Sequence, residues 1–398
     1  MIKNITIQNF KSITEQSLDL GRVNVVIGEN GCGKTNALEA IAFAAAASTG
    51  SLNQGRLGGK MRYVFPEFML PAFELTEKQI SAPLLISVAV SEEKGIARNI
   101  TAFYNREDKC WENMGGAVED MNILKVLQAS RSLDPELLRE VMNATSADES
   151  VLKAIDEMDI QTIYEKAPKL LPELKKIVVE KPSLNSFVIF SPEETKLRRF
   201  SDDNQQIPLG RGGEGLFQYL KELQKEDKST FERIVDSMSL LDWVDGVQIP
   251  EDLLSNEYKL LIGDKYLRDQ LHYFDQRSAN EGFLFMLFYM TLFQSKETPA
   301  FFAIDNIESS FNPKLCTKLM RTLVRLAKEN DKQVILTTHS PFVLDGLDLS
   351  DDEQRLFVAR RNRDGHTQFK RVDAVANMSM RLSAVWMKGM IGGLPDNF

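Results

Sequence analysis

The segment Gly28-Glu29-Asn30-Gly31-Cys32-Gly33-Lys34-Thr35 has the spacing G-x-x-x-x-G-K-[ST]. Each residue type in it suits a polyphosphate. Glycines let the backbone turn so that successive N–H groups point inward and form an anion nest. A helix opening at Thr35 adds the partial positive charge of its N-terminus. Lys34 supplies a full charge for terminal phosphates, and the Thr35 hydroxyl suits Mg²⁺, which prefers oxygen ligands. Cys32 is read as a small loop residue, with a redox role as the alternative.

A second acid fits the same chemistry. Phe301-Phe302-Ala303-Ile304-Asp305 is an apolar run ending in a carboxylate. An acid at the C-terminal end of a buried strand faces the crevice where a phosphate loop sits, and there it orders the water shell of Mg²⁺. A turn or helix cap is the plainer reading of Asp305. The next residue is Asn306, whose amide orients a water but does not accept its proton. Loss of a general base costs about 10²–10⁴-fold in rate. Three explanations stay open: slow natural turnover with nucleotide as a clamp, Glu308 standing in as base, or an engineered substitution.

Two further segments belong with these. Ser278-Ala279-Asn280-Glu281-Gly282 precedes an apolar helix, and a Ser or Asn plus Gly at a helix start forms an anion site; an ordinary N-cap is the plainer alternative. His339 follows the strand-like Gln333–Thr337 within Thr-Thr-His-Ser-Pro, where it would reach a terminal phosphate or the attacking water. His272 and His366 have no such setting and are read as surface or packing residues.

The elements that must hold these residues are legible in the pattern. Arg22–Ile27 reads as a buried strand leading into the loop, and Asn36–Ala47 as a helix. Leu84–Val90 and Ile96–Tyr104 read as a hairpin, and Gly50–Gly59 as a loop. Residues 110–185 carry helical spacing from about Glu119 and are read as an insertion. Glu214–Gln224 and Thr230–Met238 read as helices, Gly282–Phe293 as a buried helix, and Pro313–Glu329 as an amphipathic one. The tail from Ser379 reads as a short helix and a Gly-Gly-Leu-Pro turn. Alternating buried strands and helices predict an α/β fold with a largely parallel sheet. The expected division is an N-terminal lobe over 1–109, the insertion over 110–185 and a C-terminal lobe over 186–398.

Composition narrows the partners. The 398 residues carry a net charge of −9, so any nucleic-acid contact must use a local patch. Arg360, Arg361, Arg363, Lys370 and Arg371 form such a candidate patch, and a solvated hairpin face is the blander reading. Three cysteines, Cys32, Cys110 and Cys316, have no metal-ligand spacing. No apolar run approaches the ~20 residues of a membrane span, and the N-terminus lacks a signal peptide, so a cytoplasmic protein is expected.

Taken together, Asn9-Phe10-Lys11-Ser12-Ile13, the glycine loop, Ala303–Pro313 and Leu336–Pro341 resemble the ABC-type ATPase heads of the RecF, SMC and OLD-like group. The resemblance is closest to short AAA-family ATPases of bacterial antiphage two-gene systems, Septu-like, and covers roughly 1–60 and 186–398. It implies an ABC-type head binding ATP and Mg²⁺, with Lys34 and Thr35 as Walker A ligands and Asp305 as the Walker B acid. It places Asn306 at the usual catalytic Glu position, Ser309–Asn312 at the D-loop and His339 at the switch histidine. Asn280 or Ser278 would be the signature residue closing on the other subunit's nucleotide. Lys11 and Ser12 match a segment near the nucleotide in relatives, and no residue is assigned to a Q-loop.

The resemblance implies a homodimer or higher homo-oligomer and a partner nuclease, HNH or TOPRIM-like, encoded nearby. The leading expectation is a sensor or clamp that regulates this effector. A RecF-like DNA-repair or end-binding ATPase is the alternative. A transporter subunit fits poorly, because the signature lacks the Leu-Ser-Gly-Gly-Gln form.

Overall fold

The computed structural model describes residues 1–48, 52, 54–61, 69, 85–92, 97–105, 110–115, 184–199, 208–250, 259–267, 273–373 and 380–394. Its central sheet has six strands. β3 (Val23–Ile27), β12 (Gln333–Thr337), β11 (Phe301–Ile304), β7 (Ile189–Phe190) and β13 (Gln354–Arg361) run parallel, and β14 (Thr367–Val372) closes the edge antiparallel to β13. The spatial order is β14-β13-β3-β12-β11-β7.

Both faces of this sheet are covered, which is why its strands read as unbroken apolar runs. Alternation then sorts side chains between two cores. Val25, Ile27, Phe302, Ile304, Val334, Leu336, Leu356 and Val358 face one core. Val26, Phe301, Ala303, Ile335, Phe357 and Ala359 face the other.

The second core is built around α1 (Lys34–Ser48), sandwiched against an antiparallel sheet. That sheet comprises β1 (Ile2–Phe10), β2 (Ile13–Asp19), β4 (Leu85–Glu92), β5 (Ala97–Asn105) and β6 (Cys110–Gly115), in the order β2-β1-β4-β5-β6. The expected antiparallel pair is thus present as β4 and β5. α1 is apolar on nearly all sides, and Phe43 contacts Phe10 and Trp111 with ring centroids 5.9 and 5.4 Å apart.

The first core packs α6 (Glu281–Gln294), also buried all round, against α7 (Pro313–Glu329) and, further along, α4 (Leu216–Glu226) and α5 (Lys228–Ser237). Among the described residues the remaining α-helices are α3 (Glu194–Arg199), α8 (Pro341–Leu344) and α9 (Leu382–Met387), the last followed by a turn over Lys388–Ile391, while the expected Gly-Gly-Leu-Pro turn runs past the described residues. A small sheet of β8 (Val244–Gln248), β9 (Leu261–Asp264) and β10 (Tyr273–Asp275) precedes α6.

Two expectations change. The stretch expected as a loop over Gly50–Gly59 contains α2 (Gln54–Lys60). Tertiary ties override its glycines: Leu57 is buried, Arg211 donates to the Gly58 carbonyl at 3.1 Å, and Lys60 donates to the Phe187 carbonyl at 3.1 Å. The first residues assigned to the insertion, Cys110–Gly115, instead form β6, whose pairing with β5 outweighs the composition change. The helical pattern expected over 119–181 lies outside the described residues, as does His272. Among the described residues no helix is long and apolar enough to cross a membrane.

Candidate phosphate-binding site

The glycine loop follows β3 and opens α1, as its residue types require. Gly28, Gly31 and Gly33 have φ of 149°, 76° and 102°. At Gly28 an added Cβ would lie 2.3 Å from the Ala359 carbonyl oxygen, and at Gly33 2.2 Å from the Thr367 hydroxyl. Larger residues are excluded there by both conformation and space.

The loop, Asp305, Asn306 and His339 line one cleft of about 280 Å³, together with Asn36 and Arg361. Four adjacent parallel strands deliver them. β3 carries the loop, β12 carries His339, β11 carries Asp305 and β13 carries Arg361. The Thr35 hydroxyl donates to Asp305 Oδ2 at 3.3 Å. Thr337, at the end of β12, donates to Asp305 Oδ1 and accepts the Asn306 N–H at 2.9 Å. Asp305 is therefore held from two sides, with Asn306 in the left-handed region at φ 58°.

Lys34 Nζ donates to the carbonyl oxygens of Gly28 and Glu29 at 2.8 and 3.0 Å. Burial lowers its pKa, while Cys32, Asp305, Glu308 and Glu29 act in the opposite direction. Burial raises the pKa of Cys32, which favours an inert thiol and supports its reading as a small packing residue. Burial, then the charge of Lys34, lowers the pKa of His339, which favours neutral imidazole.

Glu308 is not among the residues that line the cleft. Its Oε1 accepts the His339 backbone N–H at 2.8 Å, so the carboxylate braces the turn that presents the histidine.

Ser278, Asn280 and Gly282 are not brought to this chain's own loop. Asn280 Oδ1 accepts the Phe283 N–H at 2.8 Å and caps α6, while Ser278 is exposed. Asn280 and Gly282 line a separate groove with Ser310, Asn312 and Trp243. Gly282 lies close to the Ser310 carbonyl: a Cβ there would be 3.1 Å from it.

The turn between β1 and β2 braces the loop. Lys11 is ion-paired with the buried Glu39 of α1. Ser12 Oγ accepts from Asn36 Nδ2 and shares a hydrogen bond with Thr367 Oγ1, both at 2.6 Å, and Thr367 also donates to the Cys32 carbonyl at 2.8 Å. The candidate basic patch is divided. Arg361 Nε donates to the Gly31 carbonyl at 2.9 Å and faces the cleft. Arg371 pairs with Asp352 and Asp373, leaving Arg360, Arg363 and Lys370 exposed on the β13–β14 hairpin. His366 bonds to Thr14 on the surface.

Thr337, Thr367, Asn36 and Arg361 were not singled out for the site by their sequence context. A second cavity of about 270 Å³ adjoins Thr35 and Asp305 and is lined by Ser191, Glu193, Lys196 and Arg211. Ser191 follows β7, the strand beside β11; its only sequence signal is the step from an apolar run into Ser-Pro-Glu-Glu.

Residues 149–345 match a family described as an AAA domain, putative AbiEii toxin, Type IV TA system, and residues 1–54 match a family described as an AAA ATPase domain. An Smc head bound to the C-winged helix domain of ScpA superposes with a TM-score of 0.55 at 15% identity, covering 94% of this chain and 98% of that one. This is the fold of an SMC-like P-loop ATPase head. The SMC head domain from Thermotoga maritima, at 13% identity, covers 94% of this chain and 99% of that one, with a TM-score of 0.47. No curated protein sequence matches. In this fold, the cleft described above lies at the C-terminal ends of the parallel strands, where α/β folds bind ligands.

The residues present fit a magnesium–triphosphate. The inward-turned glycine loop, a buried lysine, and a threonine hydroxyl beside a carboxylate supply the donors and hard oxygens it needs.

Proposed function

We propose that the chain is a slowly hydrolysing, ATP-binding clamp in which Mg·ATP engages two copies. The convergence of Lys34, Thr35 and Asp305 in one cleft supports this most strongly. Bound Mg²⁺ would neutralise charge developing on the terminal phosphates. Thr35 and Asp305 would hold it, the latter through its water shell. Lys34 and the loop amides would bind the phosphates. His339, neutral, would orient a terminal phosphate or water as a hydrogen-bond partner. Asn306 would position a water without taking its proton. With Glu308 engaged at His339, slow turnover is favoured over Glu308 as a substitute base.

The start of α6 serves as the second wall in this reading. Asn280 and Gly282 sit in an open groove away from their own loop, so a partner copy's nucleotide is what they would meet. A composite site of this kind is isologous and closes as a two-fold dimer. Sedimentation velocity tests it. Mg·ATP is expected to convert wild type from monomer to dimer, and Gly282→Glu, which places a carboxylate at the helix start, is expected to remain monomeric while still binding nucleotide. No nucleotide-dependent shift in wild type would refute the clamp.

The finer assignment, a sensor that regulates a separate antiphage nuclease, rests on the resemblance of its motifs to those two-gene ATPases. It predicts co-purification of a nuclease encoded beside this gene when the native operon is expressed. Protection from phage by this chain alone would sink it. The RecF-like alternative is weakened by the division of its basic patch between the nucleotide cleft, ion pairs and solvent.

A further inference from the structure

Among the described cationic side chains, Arg361 is placed unlike its neighbours. It ends β13, the strand flanking β3 on the side away from β12. Its Nε donates to the carbonyl of Gly31, inside the glycine loop, at 2.9 Å. The same side chain lines the cleft that Lys34, Thr35, Asp305, Asn306 and His339 line. Among the described residues it forms no ion pair, so one N–H fixes the guanidinium against the loop while its remaining donors are uncommitted. Arg360, the preceding residue on the strand, does not line the cleft.

From this geometry we propose that Arg361 is a phosphate-binding arginine of the nucleotide site, contributed in cis, rather than part of a nucleic-acid surface. The proposal rests on the ATP-binding reading above. A guanidinium stays charged at every relevant pH, and its planar fork suits phosphate oxygens. Among the described residues that line the cleft, the other full positive charge is Lys34, already bonded to two carbonyl oxygens. Where Asn306 supplies no proton acceptor, fixed charge on the phosphoryl oxygens is the remaining means of lowering the barrier. Arg361 supplies such a charge without a partner chain, so it acts in the monomer and strengthens capture before two copies close.

Calorimetric titration of Mg·ATP into the full chain tests this with wild type, Arg361→Ala, Arg361→Gln and Arg360→Ala. Glutamine keeps a donor for the Gly31 carbonyl but carries no charge. The expected result is a dissociation constant raised about tenfold or more in both Arg361 variants, from loss of a charge-assisted hydrogen bond, with Arg360→Ala within twofold of wild type. Thermal melts check that each variant is folded. Arg361→Gln at wild-type affinity would overturn the proposal, leaving the arginine as a brace for Gly31. An equal loss in Arg360→Ala would also overturn it, because the effect would then be one of overall charge. Failure of wild type itself to bind Mg·ATP would instead remove the ATP-binding reading on which the proposal stands.

Discussion

Asn306 occupies a backbone conformation that suits its identity. At φ 58° it lies in the left-handed region, which Asn tolerates better than most residues. Its N–H is taken by Thr337 and its side chain is exposed in the cleft. Replacing it with Glu keeps the backbone bond and adds a proton acceptor at the same place. The left-handed conformation costs the new residue on the order of 1–2 kcal/mol, which a folded domain absorbs. Asn306→Glu is expected to raise steady-state ATP turnover, and a full general-base contribution would be about 10²–10⁴-fold. Unchanged or lower turnover in a folded variant would show that slow hydrolysis, if present, has another cause. What the sequence revealed at this scale was whatever sits in a contiguous segment: the glycine loop, Asp305 after its strand, and His339 after its own. Thr337 and Thr367 give no local signal, and Arg361 reads only as part of a basic patch, because their roles arise from contacts 31, 335 and 330 positions away. A threonine or arginine ending a strand has no local pattern that announces such a role.

Among the elements, α6 illustrates why the core could be read directly. A helix apolar on every side has to be buried, and in the structure its residues from Phe283 onward are enclosed. Phe288 is fully buried and meets Phe190 and Tyr289 edge-on, with centroids 5.7 and 5.9 Å apart. Because β7, carrying Phe190, lies beside β11, this contact helps fix the sheet that carries Asp305. Phe288→Ala is expected to destabilise the protein by about 3–5 kcal/mol, measured as a lowered urea midpoint at unchanged slope. A loss below about 1 kcal/mol would mean that the helix is not packed as described. Failures at this scale share a cause. α2 looked like a loop because three glycines lie in it, yet its hold comes from Arg211 and from Lys60 reaching residues remote in sequence. β6 looked like the start of an insertion because its membership of a sheet depends on pairing with β5, which composition does not record.

For the whole molecule, the order of motifs along the chain carried the fold further than sequence identity could. The Smc head it superposes on shares 15% of its residues. The cleft is assembled at one end of the parallel sheet from four strands whose chain order is β3, β11, β12, β13 but whose spatial order is β13-β3-β12-β11. That crossover places Asp305 beside Thr35, with β12 and its Thr337 between their strands. Everything proposed for the dimer, the clamp and Arg361 depends on a magnesium–nucleotide seating at that point. Calorimetry of Mg·ATP binding to wild type and Lys34→Ala asks this directly. Removal of the lysine's charged hydrogen bonds should weaken binding by at least about tenfold, with the melting temperature of the unliganded protein little changed. Full retention of affinity by a folded Lys34→Ala variant would contradict the account.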